Sequence, residues 1–296
     1  MMNGPLKLVL IFGTIVGGAG WILTAPSTVE SDMLATVSAD VERGKTVFYA
    51  SGCASCHATP DSQDDAKLRL GGGHAFKTDF GTFYAPNISS DVTAGIGAWT
   101  DEDLANALIH GTSPEKRHYY PAFPYTTYAQ MTLEDVASLR SFLSTLPAVA
   151  TPNTPHDVRF PFNIRRILGG WKLMFTRKGW VLDGDLTEQQ IEGRYLVEAL
   201  GHCAECHTPR NALGGMKRGS WLAGGPNPDG KGTIPDLTPA GLDWSEGDIA
   251  EYLKSGFTPE YDTAGGQMVD VIENTSQLSD AERAAIAAYL KALPVQ

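Results

Sequence analysis

Cysteine is scarce in this chain: there are four in 296 residues, and all lie in two pentapeptides, Cys53-Ala54-Ser55-Cys56-His57 and Cys203-Ala204-Glu205-Cys206-His207. No thiol is left for any other use. Basic residues are also few, 23 Lys and Arg against 34 Asp and Glu. The resulting net charge of -11 argues against a nucleic-acid surface and favours partners that present basic patches. Long apolar runs are nearly absent. One uncharged stretch of 16 residues, Leu8 to Leu23, follows Lys7 and falls short of the roughly 20 that a membrane span uses. No proton-transfer machinery or substrate pocket is evident in the pattern.

Two thiols three residues apart can add across the two vinyl groups of one porphyrin, and the following histidine is then placed to ligate the iron. A redox-active disulfide pair and half of a zinc site use the same Cys-x-x-Cys spacing. The adjacent His in both copies, with no cysteine elsewhere, predicts two covalently bound haem c groups. Cys53, Cys56, Cys203 and Cys206 would make the thioether links, and His57 and His207 would ligate iron. A basic start and an apolar run read as an export signal or an anchor. Ala25-Pro26 is a poor cleavage site, and Val37-Ser38-Ala39 lies far beyond the run, so residues 1–25 are expected to stay as a transmembrane anchor. With Lys7 inside, everything after residue 25 lies outside, on the periplasmic face of a bacterial inner membrane, where such haem attachment takes place.

The halves repeat. Trp99 to Gly111 and Trp244 to Gly256 have equal spacing, Pro114 and Pro259 follow at equal offsets, and helices ending near Pro147 and Pro294 close each copy. Thr100 and Ser245 read as N-caps, and Thr187 as a further one, with the glycines as C-terminal stops. Val41, Val47 and Phe48 are candidate core positions before the first motif; Ile191, Tyr195, Leu196 and Ala199 play that part before the second. The expected division is a tether at 26–37, a first helical domain at 38–147, a linker at 148–185 and a second domain at 186–296. From 151 to 180 the linker carries six basic residues against Asp157 alone. Either it is a solvated face, or it neutralises propionates or touches anionic lipid headgroups. Trp171, Phe175 and Trp180 argue against a floppy segment.

A low-spin electron-transfer haem needs a sixth ligand, for which a Met thioether is the usual choice. In the second copy Met268, in Gly265-Gly266-Gln267-Met268, is the candidate. The same offset in the first copy falls on Phe123, which cannot bind iron. Met131 is the assignment there, with His118, His110 and an open coordination site as alternatives; Met131 also aligns with Leu278, a capping core position. Arg210 is placed to fork a propionate, or to lie on the surface. His74 and His156 read as surface residues.

The two motifs, Ala85-Pro86-Asn87-Ile88, Gly95-Ile96-Gly97-Ala98-Trp99, Tyr120 to Tyr125, Phe160 to Phe175 and His207-Thr208-Pro209-Arg210-Asn211 together resemble the multihaem cytochrome c subunits of bacterial membrane-bound alcohol and sugar-acid dehydrogenases. The resemblance covers roughly residues 38 to 296. It implies an all-α fold of two tandem class I cytochrome c domains, here behind an N-terminal transmembrane helix, with thioether links and His/Met ligation. Well-known members have three haem domains, and many have Met where this chain has Phe123, so the resemblance does not supply the first sixth ligand. The function it implies is single-electron transfer from a dehydrogenase or respiratory donor to a cytochrome or terminal oxidase. The rivals are a dihaem enzyme with an open first iron, acting on peroxide or a sulfur compound, and a haem-based sensor.

Overall fold

The computed structural model describes residues 12, 14, 17–176, 179–227 and 232–295. The first unit contains helices α1 (Val41–Ala50), α2 (Asp101–His110) and α3 (Leu133–Leu143); α4 (Ile167–Phe175) lies in the connector. The second unit contains α5 (Glu188–Tyr195), α6 (Glu246–Ser255), α7 (Met268–Thr275) and α8 (Asp280–Ala292). Their ends follow from local chemistry. Thr100 and Ser245 form reciprocal capping boxes with Asp103 and Asp248, and Thr187 does so with Gln190, which satisfies backbone donors that a helix start leaves free. Gly111 and Gly256 close α2 and α6 in the left-handed region, at φ 57° and 76°.

Each unit is held by one close helix crossing. α1 packs on α3 through Gly44, where a Cβ would stand 2.0 Å from the Ser138 carbonyl oxygen. α5 packs on α8 through Gly193, where the Ala285 carbonyl oxygen would be 1.8 Å away. Ser138 and Ala285 each lie six residues past the N-cap of their helix, Thr132 and Ser279, so the two crossings are equivalent. Val47, Phe48, Leu196, Ala199 and Tyr289 are fully buried around them. Val41 and Ile191, expected in the core, are exposed at the outer edge of α1 and α5.

The interval from the crossing glycine to the first cysteine is nine residues in one unit and ten in the other. The extra residue is absorbed in a π turn, Leu196–Leu200, directly after α5. Such a turn takes up one inserted residue without breaking the helix axis. The same crossing geometry therefore delivers a Cys-x-x-Cys-His segment in both units.

The fold is not all-α as expected. Strands β1 (Ala75–Thr78), β2 (Gly81–Tyr84) and β3 (Asp157–Val158) form an antiparallel sheet, and β4 (Gly225–Pro226) pairs with β5 (Thr233–Ile234). The first hairpin turns on Asp79-Phe80, where the Phe80 N–H donates to Thr78 Oγ1 at 3.2 Å. Phe76, Thr82, Phe83 and Tyr84 supply the strand-favouring side chains that a helix-period search passes over.

β3 stitches the connector to the first unit, and the rest of the connector is equally engaged. Trp171 Nε1 donates to the Leu213 carbonyl at 2.8 Å, and Lys172 Nζ donates to the His110 and Gly111 carbonyls at 2.6 and 2.7 Å. The Arg165 guanidinium stacks 4.5 Å from the Tyr120 ring centroid, and that of Arg166 lies 4.1 Å from that of Trp21. Much of the expected transmembrane helix, residues 1–11, 13, 15 and 16, lies outside the described residues. Among the described residues no helix is long and apolar enough to cross a membrane.

Candidate functional site

Each attachment motif is a short helical turn, Cys53–His57 in the first unit and Ala204–His207 in the second. Left-handed Gly52, at φ 57°, opens the first of these turns. His57 Nδ1 lies 2.8 Å from the Pro86 carbonyl oxygen, and His207 Nδ1 lies 2.8 Å from that of Pro235. A carbonyl only accepts, so Nδ1 carries the proton in both rings, and Nε2 is left as a lone pair suited to ligating iron. Burial lowers both imidazole pKa values and keeps the rings neutral, as ligation requires.

The histidine backbones are fixed as well. Gly72 N–H donates to the His57 carbonyl at 2.9 Å and Gly224 N–H to the His207 carbonyl at 2.7 Å. Both glycines have φ of 67°, and a Cβ on either would collide with the backbone next to the carbonyl that holds the ring. Sequence reading missed Pro235, Gly72 and Gly224. A signal was present: Pro86-Asn87-Ile88-Ser89 and Pro235-Asp236-Leu237-Thr238 match in type, and their Asx side chains accept equivalent bonds from Ser89 N (2.9 Å) and Thr238 N (2.7 Å).

The competing readings of Cys-x-x-Cys fit less well. A reactive dithiol needs a lowered pKa, whereas burial pushes Cys53 up to about 12, and Cys56 and Cys203 up to about 11. Among the described residues no group of three or more His, Cys, Asp and Glu side chains is placed to hold a bare metal ion. Two thiols beside one oriented imidazole Nε2 are instead the donor set for a thioether-linked haem.

The two motifs adjoin. Asn274 Nδ2 in α7 donates to Ser55 Oγ at 2.9 Å, and Cys56 lies close enough to Cys206 and Asp270 for their charges to raise its pKa. His202 Nε2, beside the second motif, lies 3.1 Å from the Ser51 carbonyl oxygen beside the first. Tyr195 bridges the units by donating to Asp135 Oδ2 at 2.6 Å, and Asp135 also takes both ends of the Arg43 guanidinium at 2.7 Å.

Met268 starts α7, and the Oε1 of neighbouring Gln267 lies 3.9 Å from Cys206 Sγ, so its loop borders the second motif. The counterpart loop in the first unit is shorter. Tyr119 and Ala264 are equivalent, since their N–H groups donate at 2.8 Å to Gly111 and Gly256. Tyr125 and Ile272 are equivalent too, because each packs on that glycine. Between those anchors lie six residue steps in one unit and eight in the other. Phe123 and Met268 each stand four steps past the first anchor, and the difference falls after them, with two steps on to Tyr125 against four on to Ile272.

Met131 is buried in the core, as is Leu278, and their N–H groups donate to the equivalent Tyr128 and Thr275 carbonyls. His118 is buried with Nε2 3.0 Å from the Thr24 carbonyl oxygen, which ties it to the N-terminal segment. Arg210 forms an ion pair with Glu205, inside the second motif, and donates to the Gly214 carbonyl at 2.7 Å. His156, read as a surface residue, is half-buried and accepts from Tyr84 N–H at 3.1 Å.

The sequence model of the Cytochrome c family matches residues 41–147 and 190–294. A dihaem cytochrome c-type protein of Cereibacter sphaeroides is 58% identical over 293 residues, covering 99% of this chain and 98% of that protein. The fructose dehydrogenase cytochrome subunit of Gluconobacter japonicus is 38% identical across 86% of this chain and 53% of its own length. The gluconate 2-dehydrogenase cytochrome c subunit of Pantoea cypripedii is 35% identical across 86% of this chain and 59% of its own length. This chain thus spans little more than half of each of those two subunits. With both units matched and the donor set present twice, the chain belongs to the cytochrome c family and carries two covalently bound haem c groups.

Proposed function

We propose that this protein is a periplasm-facing electron carrier, tethered by its N-terminal apolar run, that passes single electrons from a dehydrogenase or respiratory-chain donor to a cytochrome or terminal oxidase. The observation that carries this reading is the contact between the units beside the first attachment motif, where Asn274 of α7 donates to Ser55 Oγ. Bound haem supplies a one-electron iron couple. The chain's own residues do the rest. His57 and His207 are oriented by the Pro86 and Pro235 carbonyls, and the His207 ring is buried. The interdomain bonds hold the motifs next to each other. Met268 is the proposed sixth donor of the second site and Met131 that of the first. The acidic surface would speed encounters with partners bearing basic docking patches.

A second reading, with an open first iron, is favoured by one observation: Met131 occupies the same buried position as Leu278, which cannot ligate. Anaerobic reduction of the purified holo-protein under carbon monoxide separates the two. A carrier with closed sites shows two low-spin centres and no adduct. An adduct at one centre would replace the carrier reading with that of a ligand-binding or catalytic haem.

A further inference from the structure

Between Asp157 and Asp183 the connector contains no carboxylate and six basic residues, in a chain of net charge -11. Exposed apolar side chains concentrate in the same segment. α4 turns Gly169, Trp171 and Lys172 inward: a Cβ at Gly169 would stand 2.2 Å from the Thr24 carbonyl oxygen, and the other two donate to backbone carbonyls of the second and first units. Its outward side chains are exposed among the described residues, Ile167 at 55%, Leu173 at 62% and Met174 at 54%. Ile164, one turn earlier, is exposed as well.

A second apolar surface lies beside α4. Gly169 abuts Thr24, and Arg166 stacks on Trp21 and donates to its carbonyl, so α4 lies beside the end of the N-terminal helical residues. Trp21, Ile22 and Leu23 are exposed there. An apolar helix face edged by arginines and lacking carboxylates matches the boundary between acyl chains and anionic headgroups: the aliphatic side chains enter it and guanidinium groups meet phosphates.

We infer that the outward face of α4 is a membrane-interface surface, resting Ile164, Ile167, Leu173 and Met174 in an anionic bilayer with Arg159 and Arg166 at phosphate level. The inference rests on the tethered reading above only in placing a bilayer beside the protein. Its consequence is positional. Because Trp171 and Lys172 tie α4 to both units, contact through this face sets both haem sites at a fixed height above the lipid.

Spin labels on the full-length holo-protein test this. Leu173→Cys, Ile167→Cys, Phe12→Cys and Tyr261→Cys each introduce one reactive thiol at an exposed position, since the native cysteines carry haem. Collision with oxygen is compared with collision with a water-soluble nickel chelate, in phosphatidylglycerol vesicles and in phosphatidylcholine vesicles. In phosphatidylglycerol the oxygen-to-nickel ratio is expected to rise at 173 and 167 but not at 261. An equal ratio at 173, 167 and 261 overturns the inference, and so does shielding of 173 from both reagents, which would mean a protein cover. An equal rise in phosphatidylcholine overturns its anionic-lipid component. The label at 12 reports the tether separately, so that reading can fail while this one stands.

Discussion

Asn274 Nδ2 reaches out of α7 to donate a 2.9 Å hydrogen bond to Ser55 Oγ, the middle residue of the first attachment motif. Asn274 is buried, and its amide also donates to the Asp270 carbonyl at 2.7 Å. Lys67, close by, pairs with Asp270 and Glu273 at the half-exposed rim of this contact. Asn274→Ala is therefore expected to cost about 1 kcal/mol in guanidinium unfolding. Lys67→Ala should cost less, because exposed pairs contribute about 0–1 kcal/mol. Asn274→Ala should also slow electron exchange between the two haems, measured after flash reduction, without changing either haem spectrum. An unchanged rate would mean that this bond does not hold the motifs in place.

Gly72→Ala and Gly224→Ala should each act on one site. At Gly72 a Cβ would lie 2.5 Å from the Pro86 carbonyl carbon, and at Gly224 2.4 Å from the Ile234 carbonyl oxygen. The left-handed conformation alone costs a non-glycine residue about 1–2 kcal/mol. The clash adds to this and pushes the nearby proline carbonyl off the histidine. A ring that loses its Nδ1–H acceptor donates less electron density to iron, so the couple should shift upward. Spectroelectrochemical titration is expected to show the first couple moved in Gly72→Ala and the second in Gly224→Ala, with the other couple unmoved.

The parts of this fold legible in sequence were those with short-range causes. Cap residues Thr100, Ser245 and Thr187, stops Gly111 and Gly256, and the two Cys-x-x-Cys-His segments act within one helical turn. The crossing at Gly44 and Gly193 has no local signal, because a glycine inside a helix reads only as a propensity cost until the carbonyl opposite it is known. The carbonyls that hold His57 and His207 come from 29 and 28 residues away. Only comparison of the halves around Pro86 and Pro235 could have found them. The offset that sets Phe123 opposite Met268 holds from the first anchors of this loop, Tyr119 and Ala264, and the two extra residues of the second unit come after it, before Ile272.

Glu198, inside the π turn, should make stability depend on pH. Its carboxylate accepts from Val181 N (2.6 Å), Leu182 N (3.3 Å) and Tyr289 Oη (2.6 Å), while Trp221 Nε1 donates to the same Tyr289 oxygen at 3.2 Å. Burial raises its pKa and outweighs these donors, which pull the other way. The folded protein then holds this proton more tightly than the unfolded chain does. The contribution is full below the ordinary glutamate value of 4.5 and is lost as pH rises through the raised value. Glu198→Gln removes the titration but leaves one N–H without its acceptor, at about 1–3 kcal/mol. In denaturation curves at a series of pH values, the stability advantage of the wild type over Glu198→Gln should shrink as pH rises across that window. A constant difference would show that Glu198 does not titrate there.

Met131→Leu and Met268→Leu separate ligand from packing most directly. Met268 stands at the head of α7, half-buried, one residue from the side chain that meets Cys206. Leucine there keeps the bulk and loses the sulfur, so the near-infrared thioether-to-iron band of one haem should vanish and its potential should fall, since a thioether favours the reduced iron. For Met131 the structure supports two outcomes with different readouts. As the sixth ligand, its replacement abolishes the band of the other haem. As core, it sits where the second unit has Leu278, and a Met-to-Leu exchange of similar volume should cost less than about 1.5 kcal/mol and leave both bands intact. A surviving band in Met131→Leu, together with carbon monoxide binding by the reduced wild type, would assign the first iron an open face. The same survival without carbon monoxide binding would move the sixth donor to another side chain of the first unit.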